Sequence, residues 1–384
     1  MRIMVVNTLY HPYKIGGAEI SVQFLAEELI RKGHQVRVVC LHEHNYKKMD
    51  LVNGVEIVYL PIKNIYWPFD DKNKGKLRRL IWHVIDSYNF SMARLISEEI
   101  NEFNPDVVHT NNIAGFSVSI WSAIKKKNKK LVHTSRDYYL FHPSSTMFLR
   151  NRNLEPTEVS VKFWSFIKKI ASRKVDGYIG ISDFIRAFHV DNGFFRSAVS
   201  SYIYNAVEKI KFKEKITNEI RFGFIGRLTK DKGFDIYCQL VNVFKERYPR
   251  ATFIAAGRFI ESEDGEELES LARDNGVKLL GFVQANQFLS EVDIVVLPIK
   301  WREPFGRVVL ESVLANKIVL TNSVGGITEL ERIFSKIHFM ENMDSLDFTE
   351  KSNNELNGEM FSYSEIADKY IDFYRKTLSI EPLS

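Results

Sequence analysis

The sequence predicts an α/β protein with two parallel sheets, each covered by helices on both faces. Short β-branched runs alternate with amphipathic helical stretches almost from end to end. This alternation stops at a charged stretch, residues 206–219, and then starts again. The chain has 384 residues, 45% of them hydrophobic, which suffices for about two domains with separate cores.

The first domain is predicted over residues 1–205. Ile20, Phe24 and Leu25 share one face of its first helix, which Gly33 ends. Ser182 fits the N-cap of its last helix better than a nucleophile, since no GxSxG elbow surrounds it. Strands are expected at 2–7, 35–41, 55–60, 106–110, 130–135, 177–181 and 200–205, and helices at 18–33, within 77–103, and near 116–127, 157–174 and 183 onward.

Residues 206–219 are predicted to be a linker because they are charged and lack apolar periodicity. A second domain follows over 220–361, and the amphipathic segment 362–384 is expected to cross back to the first domain. Ligands of open α/β sheets bind beyond the carboxyl ends of the strands, so two such sheets predict a cleft between the domains. In the second domain, strands are expected at 220–226, 251–257, 277–282, 293–298 and 317–321, and helices at 233–248, 265–276, 285–290, 306–316 and 326–334.

Composition and local hydropathy indicate a cytoplasmic protein. The N-terminus has no signal-peptide pattern, and no apolar stretch reaches the length of a membrane-spanning helix. Cys40 and Cys238 are far apart and lie outside any CxxC or Cys/His pattern, so we expect two buried free thiols in a reducing compartment.

The charge is divided unevenly along the chain. Residues 1–205 carry 29 Lys and Arg against 19 Asp and Glu, a net charge of +10, whereas the remainder has a net charge of −5. Basic runs occur at 72–79, 125–130 and 168–174, two of them near aromatic residues. They indicate either solvated lysine faces or a contact with an anionic membrane or acidic acceptor. Nucleic acid is disfavoured because no recognition motif accompanies them.

Two glycine-containing loops at strand ends could bind phosphate. Gly16 and Gly17 precede a helix, whose N-terminal N–H groups suit an anion, although a plain tight turn explains them equally well. Gly226 ends the first strand of the second domain, and Arg227 and Lys232 follow it in the same loop. This spacing favours a clamp on a diphosphate over two solvated cations.

The stretch "EPFGRVVLES" places two carboxylates around the start of a helix. Pro304 is expected in the first helical turn, with Glu303 before it and Glu311 two turns deeper. The two carboxylates could bind hydroxyl pairs on two neighbouring rings, and the amides of Phe305 and Gly306 would face an anion between them. The alternative is a capping glutamate and a surface glutamate.

These motifs, together with "GRLTKDKG", "GGAE" and "VGGITEL", resemble the retaining nucleotide-sugar glycosyltransferases of family 4, which have the GT-B fold. The resemblance covers essentially the whole chain. It implies a nucleoside diphosphate sugar as donor, such as a UDP-sugar, with the base left open among UDP, GDP and ADP. It also implies that no metal or other cofactor is needed.

The resemblance further implies roles for single residues. Glu311 would bind the ribose and Glu303 the transferred sugar, while Arg227 and Lys232 would hold the diphosphate and neutralise the leaving group. The donor site would comprise Gly16, Gly17, Gly226, Arg227, Lys232, Glu303, Pro304, Phe305, Gly306, Arg307 and Glu311.

The loop after the strand at 130–135 departs from the family pattern. Many relatives carry a histidine immediately before the aspartate there, whereas Arg136 precedes Asp137 in this chain. Arg136 and Asp137, with His109 and His133 nearby, are candidate contacts to acceptor or sugar. The catalytic candidates are Arg136 and Asp137 together with Glu303, Arg227 and Lys232. A salt-bridged strand end is the alternative.

The resulting hypothesis is a metal-independent, retaining hexosyltransferase that acts in cell-surface polysaccharide or glycolipid synthesis. Its acceptor would be a glycan or lipid-linked hydroxyl, with a peripheral position at the inner face of the membrane as an open alternative. A nucleotide-sugar epimerase with the GT-B fold and a weakly catalytic sugar-nucleotide-binding protein remain the rival hypotheses.

Overall fold

The computed structural model describes residues 1–13, 16–70, 74–208, 210–213, 219–260, 262–346, 348 and 358–379. The chain forms two compact units. Unit 1 comprises Met1–Met147, Leu154–Ala206 and Phe361–Ser384, and unit 2 comprises Phe148–Asn153 and Val207–Met360. Part of the basic run at 72–79, part of the predicted linker and the end of the predicted C-terminal segment lie outside the described residues.

The strands are β1 (Arg2–Val6), β2 (Gln35–His42), β3 (Lys48–Val52), β4 (Val55–Pro61), β5 (Val107–Thr110), β6 (Lys130–Ser135), β7 (Phe148–Leu149), β8 (Arg152–Asn153), β9 (Gly177–Gly180), β10 (Val199–Tyr202), β11 (Arg221–Ile225), β12 (Thr252–Ala256), β13 (Lys278–Leu279), β14 (Ile294–Leu297), β15 (Ile318–Thr321) and β16 (Ile337–Phe339).

The α-helices are α1 (Gly17–Arg31), α2 (Lys76–Ser87), α3 (Phe90–Phe103), α4 (Ser119–Lys126), α5 (Val159–Ser172), α6 (Asp183–Asp191), α7 (Phe234–Arg247), α8 (Glu263–Asp274), α9 (Ala285–Ser290), α10 (Arg307–Leu314), α11 (Ile327–Glu331) and α12 (Tyr363–Leu378). Two short 3₁₀ helices occupy Met340–Ser345 and Glu359–Phe361.

The predicted fold class is confirmed, because each unit has a largely parallel sheet. The sheet of unit 1 has the order β10-β9-β6-β5-β1-β2-β4-β3, and the pairing of β3 with β4 is its antiparallel one. The sheet of unit 2 has the order β13-β12-β11-β14-β15-β16, with parallel pairings throughout. Buried aliphatic runs such as β1 and β14 form the centres of these sheets, as expected for strands covered on both faces.

Several local expectations differ from the structure. The long helix expected within 77–103 is two helices, because the Asn89 side chain accepts a hydrogen bond from Met92 N at 3.2 Å and caps α3. The strands β3 and β16 were not expected. Ser182 caps α6 as predicted, accepting a bond from Ile185 N at 3.1 Å. Cys40 and Cys238 are buried free thiols, also as predicted.

Residues 148–153 form a hairpin that belongs to unit 2, although the sequence placed them within the first domain. The Asn153 side chain explains this difference. It donates to Lys300 O at 2.9 Å and accepts from Arg302 N at 3.0 Å, which attaches the hairpin to the loop after β14.

The last helix, α12, packs within unit 1 against α1 and the strands β6 and β9. Its Ile366, Tyr370 and Tyr374 join the apolar core formed by α1 and the sheet. Tyr374 Oη lies 2.7 Å from His109 Nδ1 in this core, and both side chains are fully buried.

The bond between Tyr374 and His109 should contribute measurably to the stability of unit 1. Tyr374→Phe leaves a buried ring nitrogen without its partner, so we expect the free energy of unfolding to fall by about 1 to 3 kcal/mol. Urea unfolding of the variant and the wild type measures this change.

Tyr202→Phe is the matched control, because Tyr202 is partly exposed on the edge strand β10. Its urea midpoint should stay close to that of the wild type. Equal midpoints for Tyr374→Phe and Tyr202→Phe would contradict a stabilising role for the buried bond.

Candidate active site

The topology of unit 2 brings the predicted donor residues to one edge of its sheet. β11 has β12 on one side and β14 on the other, so the connections from β11 and β14 leave in different directions. Open α/β sheets bind ligands at such switch points, beyond the carboxyl ends of the strands. The loops that follow β11 and β14 contain Arg227, Lys232 and Glu303.

Lys232 and Glu303 meet although 71 residues separate them. Lys232 Nζ lies 2.7 Å from Glu303 Oε2, and 22% and 14% of the two side chains are exposed. The ammonium group also lies 4.7 Å from the ring centroid of Trp301, a cation–π contact. The pair is therefore largely shielded from water, but part of each charged side chain stays accessible to a polar ligand.

Two glycines hold these loops by close backbone contact. Gly233 has φ 79°, and a Cβ there would lie 1.8 Å from the carbonyl oxygen of Pro298. Gly325 has φ 58°, and a Cβ there would lie 2.1 Å from Glu303 O, which also accepts a bond from Gly326 N at 2.9 Å. A side chain at either position would move the backbone next to Lys232 or Glu303.

Arg227 is the most accessible of the predicted donor residues with a charge. Its Nη2 lies 3.3 Å from Asp231 Oδ2, and 57% of its side chain is exposed. A surface pair of this length contributes little to stability, so the guanidinium can turn to a ligand at small cost. Gly226, directly before it, has φ 144° and donates its N–H to Ala256 O.

The helix α10 begins at Arg307, so Pro304 lies before the helix and not in its first turn as predicted. The residue that precedes the helix is Gly306, with φ 90° in the left-handed region, a conformation that favours glycine. Phe305 is buried and anchors this turn in the core. The first N–H groups of α10 have no acceptor within the helix.

Glu311 lies one turn into α10 and pairs with Arg307 of the same helix. Arg307 Nε lies 2.7 Å from Glu311 Oε1, and about a fifth of each side chain is exposed. The sequence placed both residues in the donor site without predicting this pair. Its effect is to fix the carboxylate in one orientation at the surface of unit 2.

An additional ion pair supports the loop after β14. Lys300 Nζ lies 2.6 Å from Asp235 Oδ2 at the start of α7, and 3.0 Å from Asn151 Oδ1 of the hairpin. Sequence reasoning missed these residues because the partners are 65 and 149 positions apart. They join the loop after β14 to the helix that follows the Arg227–Lys232 loop.

In unit 1, the predicted loop glycines lie at the start of α1. Gly16 N donates to Glu19 Oε2 at 2.8 Å, and both Gly16 and Gly17 are exposed. The two residues before them lie outside the described ranges. The loop follows β1, which neighbours β5 at the switch point of this sheet.

Arg136 is buried at the carboxyl end of β6 and held by two asparagines. Its Nε donates to Asn111 Oδ1 at 3.0 Å, and its Nη1 donates to Asn205 Oδ1 at 2.7 Å. Asn111 follows β5, and its own Nδ2 is buried with no acceptor in the described part of the chain. The charge is thus oriented by neutral side chains, not by a salt bridge to Asp137.

Asp137 lies beside Arg136 and accepts a hydrogen bond from Tyr139 N at 2.8 Å. Burial raises the pKa of its carboxyl group to about 6, and the nearby Glu19 carboxylate acts in the same direction. Lys168 and Arg136 oppose this rise in the pKa of Asp137. This carboxyl group can therefore exchange a proton near neutral pH.

A buried cluster of charges behind Asp137 was missed by the sequence analysis. Lys168 Nζ donates to Tyr139 O at 2.6 Å and lies 3.8 Å from the centroid of the Tyr139 ring. Tyr139 Oη lies 2.9 Å from Asp86 Oδ2, and Gly115 N lies 2.6 Å from Asp86 Oδ1. Lys168 is part of the basic run 168–174, but its side chain is buried in unit 1 and is not part of a solvated lysine face.

Burial perturbs both charges of this cluster. It raises the pKa of the Asp86 carboxyl group to about 6, against the effect of Lys168, and it lowers the pKa of the Lys168 ammonium group to about 8. An inward lysine on α5 and an inward aspartate on α2 thus fix the turn that contains Asp137 and Tyr139.

The two histidines predicted near the acceptor are core residues in the structure. His109 Nε2 lies 2.8 Å from Thr134 Oγ1, and its other ring nitrogen contacts Tyr374. His133 Nδ1 lies 2.9 Å from Thr110 Oγ1, and its ring packs on Trp121. Burial lowers the pKa of His109 to about 3 and that of His133 well below its usual value, so both rings stay neutral.

Within the described ranges, no three His, Cys, Asp or Glu side chains gather closely enough to hold a metal ion. Across the same residues, no helix combines the length and the apolar character that crossing a membrane requires.

Solved structures share this architecture over nearly the whole chain. Sucrose-phosphate synthase from Thermosynechococcus elongatus is 16% identical, with a TM-score of 0.71 and 98% of each chain covered. Anabaena Alr3699/HepE in complex with UDP is 18% identical, with a TM-score of 0.61 and 98% of each chain covered. At these identities the likeness shows the fold alone, and the fold is that of the GT-B glycosyltransferases.

The family follows from the sequence models. Residues 15–209 match Glycosyltransferase Family 4, and residues 219–351 match Glycosyl transferases group 1. The chain belongs to glycosyltransferase family 4, as its motifs indicated. This membership favours the transferase over the rival epimerase and binding-protein hypotheses.

Two relatives extend the similarity along the chain. An uncharacterized 42.6 kDa protein in the cps region of Klebsiella pneumoniae is 45% identical over 98% of this chain and 100% of its own length. An uncharacterized glycosyltransferase of Methanocaldococcus jannaschii, MJ1607, is 25% identical over 86% of this chain and 82% of its own length.

The buried carboxyl group of Asp86 should make stability depend on pH. Its pKa of about 6 in the folded chain lies above the ordinary aspartate value of 3.8, so its stabilising contribution is present below about pH 4 and lost as the pH rises through 6. In Asp86→Asn this titration is absent. The free energy of unfolding, relative to the wild type, should therefore shift in favour of the variant by about 1 to 3 kcal/mol between pH 4 and 7.

Urea unfolding at several pH values measures this shift. The comparison uses the change of the difference with pH, because the difference at any one pH also contains the altered hydrogen bonds to Gly115 and Tyr139. A difference that stays constant from pH 4 to 7 would contradict the raised pKa.

Proposed function

We propose that this glycosyltransferase moves a hexose from a nucleoside diphosphate sugar to the hydroxyl group of a glycan or lipid-linked acceptor. The observation that carries the proposal is the Lys232–Glu303 pair at the switch point of unit 2, 2.7 Å long and partly exposed. A cation and a carboxylate at that distance match the two parts of such a donor. The ammonium suits the diphosphate, and the carboxylate suits the sugar hydroxyls.

The proposed donor roles follow from the charges of unit 2. Arg227 and Lys232 bind the diphosphate and stabilise the negative charge that develops on the leaving oxygen as the glycosidic bond breaks. Glu303, freed from Lys232 by the phosphate, binds the hydroxyls of the sugar. Glu311, oriented by Arg307, binds the ribose, and the first turn of α10 faces the anionic part of the donor.

The proposal assigns the neutralisation of the leaving group to side chains and not to a metal ion. Two cations in one loop, with a helix N-terminus nearby, provide the charge that a divalent ion would otherwise supply. We therefore propose a reaction that is independent of metal. Retention of the anomeric configuration is proposed on the family resemblance.

On unit 1, Arg136 and Asp137 are proposed as contacts to the acceptor or the transferred sugar. Arg136 presents a cation whose orientation two asparagines fix, and Asp137 presents a carboxyl group that titrates near neutral pH. The proton of the acceptor hydroxyl would go to the leaving phosphate in the front-face reaction that the resemblance implies.

The similarity to a capsule-region protein supports a setting for the reaction. The relative that is 45% identical is described as a protein in the cps region of Klebsiella pneumoniae. We propose that this chain likewise acts in the synthesis of a cell-surface polysaccharide or glycolipid. Cytoplasmic nucleotide sugars would supply the donor, which places the reaction on the cytoplasmic side of the membrane.

Nucleotide binding to unit 2 tests the proposal first. A thermal-shift panel of UDP, GDP, ADP and their sugars is measured with EDTA present. A nucleotide at 100 times its dissociation constant should add about 2.7 kcal/mol to stability and raise the Tm by a few degrees. Arg227→Met and Glu311→Gln should each remove most of the shift, because they delete the phosphate and ribose contacts.

Arg250→Met is the matched control, since Arg250 is exposed near the amino end of β12, at the opposite edge of the sheet from the proposed site. It should keep the full shift. The proposal fails if no nucleotide at millimolar concentration raises the Tm of the wild type. A shift that appears only after a divalent ion replaces EDTA would refute metal independence alone.

The stereochemical course is a separate prediction. Transfer from an α-linked donor should give an α-linked product, because attack occurs on the face that the diphosphate leaves. The coupling constant of the new anomeric proton, measured by NMR on any acceptor that the protein uses, reads the configuration. A β-linked product would exclude retention and leave the donor assignment intact.

A further inference from the structure

The helices α2 and α5 of unit 1 turn their apolar side chains outward. Helices on a globular surface normally bury the apolar face and expose the polar one. In α5 the inward positions include Ser165, Lys168 and Ser172, whereas most of the large apolar side chains, Val161 and Trp164 excepted, are exposed. The exposed fractions lie between 45% and 83% for Val159, Phe163, Phe166, Ile167 and Ile170.

The helix α2 shows the same reversal. Its buried positions are Trp82 and Asp86. Four of its five large aliphatic side chains are exposed, with fractions between 42% and 69% for Leu77, Leu80, Ile81 and Val84, and Ile85 is half-buried. The inward Asp86 and Lys168 of the buried cluster explain part of this arrangement, since polar groups occupy the positions that apolar side chains would fill.

The two outward faces belong to one region of the surface. α2 and α5 pack against each other, and the rings of His83 and Trp164 contact each other with centroids 6.1 Å apart. Phe163 and Ile167 flank Trp164, and Leu80 and Val84 flank His83. Apolar patches of this extent on a folded chain mark interaction sites. We call the outward residues of the two helices the α2–α5 surface.

The charges on this surface have one sign. α2 exposes Lys76, Arg78 and Arg79, and its acidic residue, Asp86, is buried. α5 contains no acidic residue, and Lys162 is exposed on it. Basic residues at the border of an apolar helical face are the pattern of helices that lie in the interface of an anionic bilayer.

We propose that the α2–α5 surface docks unit 1 on an anionic lipid bilayer. Leu77, Phe163 and Phe166 would enter the boundary between headgroups and acyl chains, while the arginines and lysines contact lipid phosphates. A second copy of the chain fits the surface poorly, because it would bring like charges together. The inference deepens the proposed function, since a lipid-linked acceptor lies in such a bilayer, but the surface does not depend on donor binding.

Co-sedimentation of the full chain with vesicles tests the proposal. The wild type should bind vesicles of phosphatidylcholine that contain about 30% phosphatidylglycerol, and bind pure phosphatidylcholine much more weakly. The double variant Leu77→Ser with Phe166→Ser should bind the anionic vesicles at least about tenfold more weakly, because two inserted side chains are lost. Binding by the wild type should also decrease as salt concentration rises.

Leu51→Ser is the matched control, because Leu51 on the edge strand β3 is 66% exposed and Leu77 is 69% exposed. It should bind like the wild type. No binding of the wild type to anionic vesicles, or equal losses in the control and the double variant, would overturn the proposal. So would a wild-type dimer that the double variant converts to a monomer without any vesicle binding.

The nucleotide shift of the double variant separates this inference from the proposed function. It should equal that of the wild type, because both substitutions are in unit 1 and the donor is proposed to bind unit 2. Loss of vesicle binding with an intact nucleotide shift supports docking. An intact vesicle interaction with no nucleotide shift in any form of the protein would refute the donor proposal and leave the docking surface in place.

Discussion

The loops at the carboxyl ends of the strands of unit 2 depend on one interaction, the ion pair between Lys232 and Glu303. It joins the loops after β11 and β14, which are central neighbours in the sheet. The backbone on each side is fixed by a glycine that allows close contact, at Gly233 and Gly325. The charges are therefore held close together by the backbone and by the Trp301 ring beside Lys232, and a polar ligand can compete for either one.

Unit 1 uses a different solution to hold charges in place. Arg136 is oriented by neutral amides, and the turn after it is supported from below by Lys168 and Asp86. Burying these groups is costly unless each finds a partner, and the contacts through Tyr139 provide the partners. These contacts hold the turn at the carboxyl end of β6 in place. Within that turn, burial raises the pKa of the Asp137 carboxyl group.

The same buried cluster connects the site of unit 1 to its surface. Lys168 and Asp86 occupy inward positions of α5 and α2, so the apolar residues of these helices are placed on the outer face. The apolar pattern of α5, taken without the rest of the fold, would predict that Phe163, Phe166 and Ile170 face the core. The position of these two charges is thus one cause of the outward orientation of the apolar faces of both helices.

The sequence by itself determined the fold class, the two-sheet organisation, the family and the order of the proposed donor residues. Strand and helix periods are local, and Arg227, Lys232 and Glu303 lie in the loops that directly follow strands, so their position at a sheet edge can be read from neighbouring residues. The sequence could place Glu303 and Lys232 in the same site. It could not predict the ion pair between them, because that pair requires β11 and β14 to be neighbours in the sheet.

Only the tertiary structure decided the features that depend on distant partners. The asparagines that hold Arg136 are 25 and 69 positions away from it in the chain. Tyr374, the hydrogen-bond partner of His109, is 265 positions away from that histidine. Lys168 looked like a surface lysine because it stands in a basic run, and only the packing of α5 on Tyr139 turned it inward. Side-chain direction is set by which face of an element meets the core, and that choice is made by the whole fold and not by the local sequence.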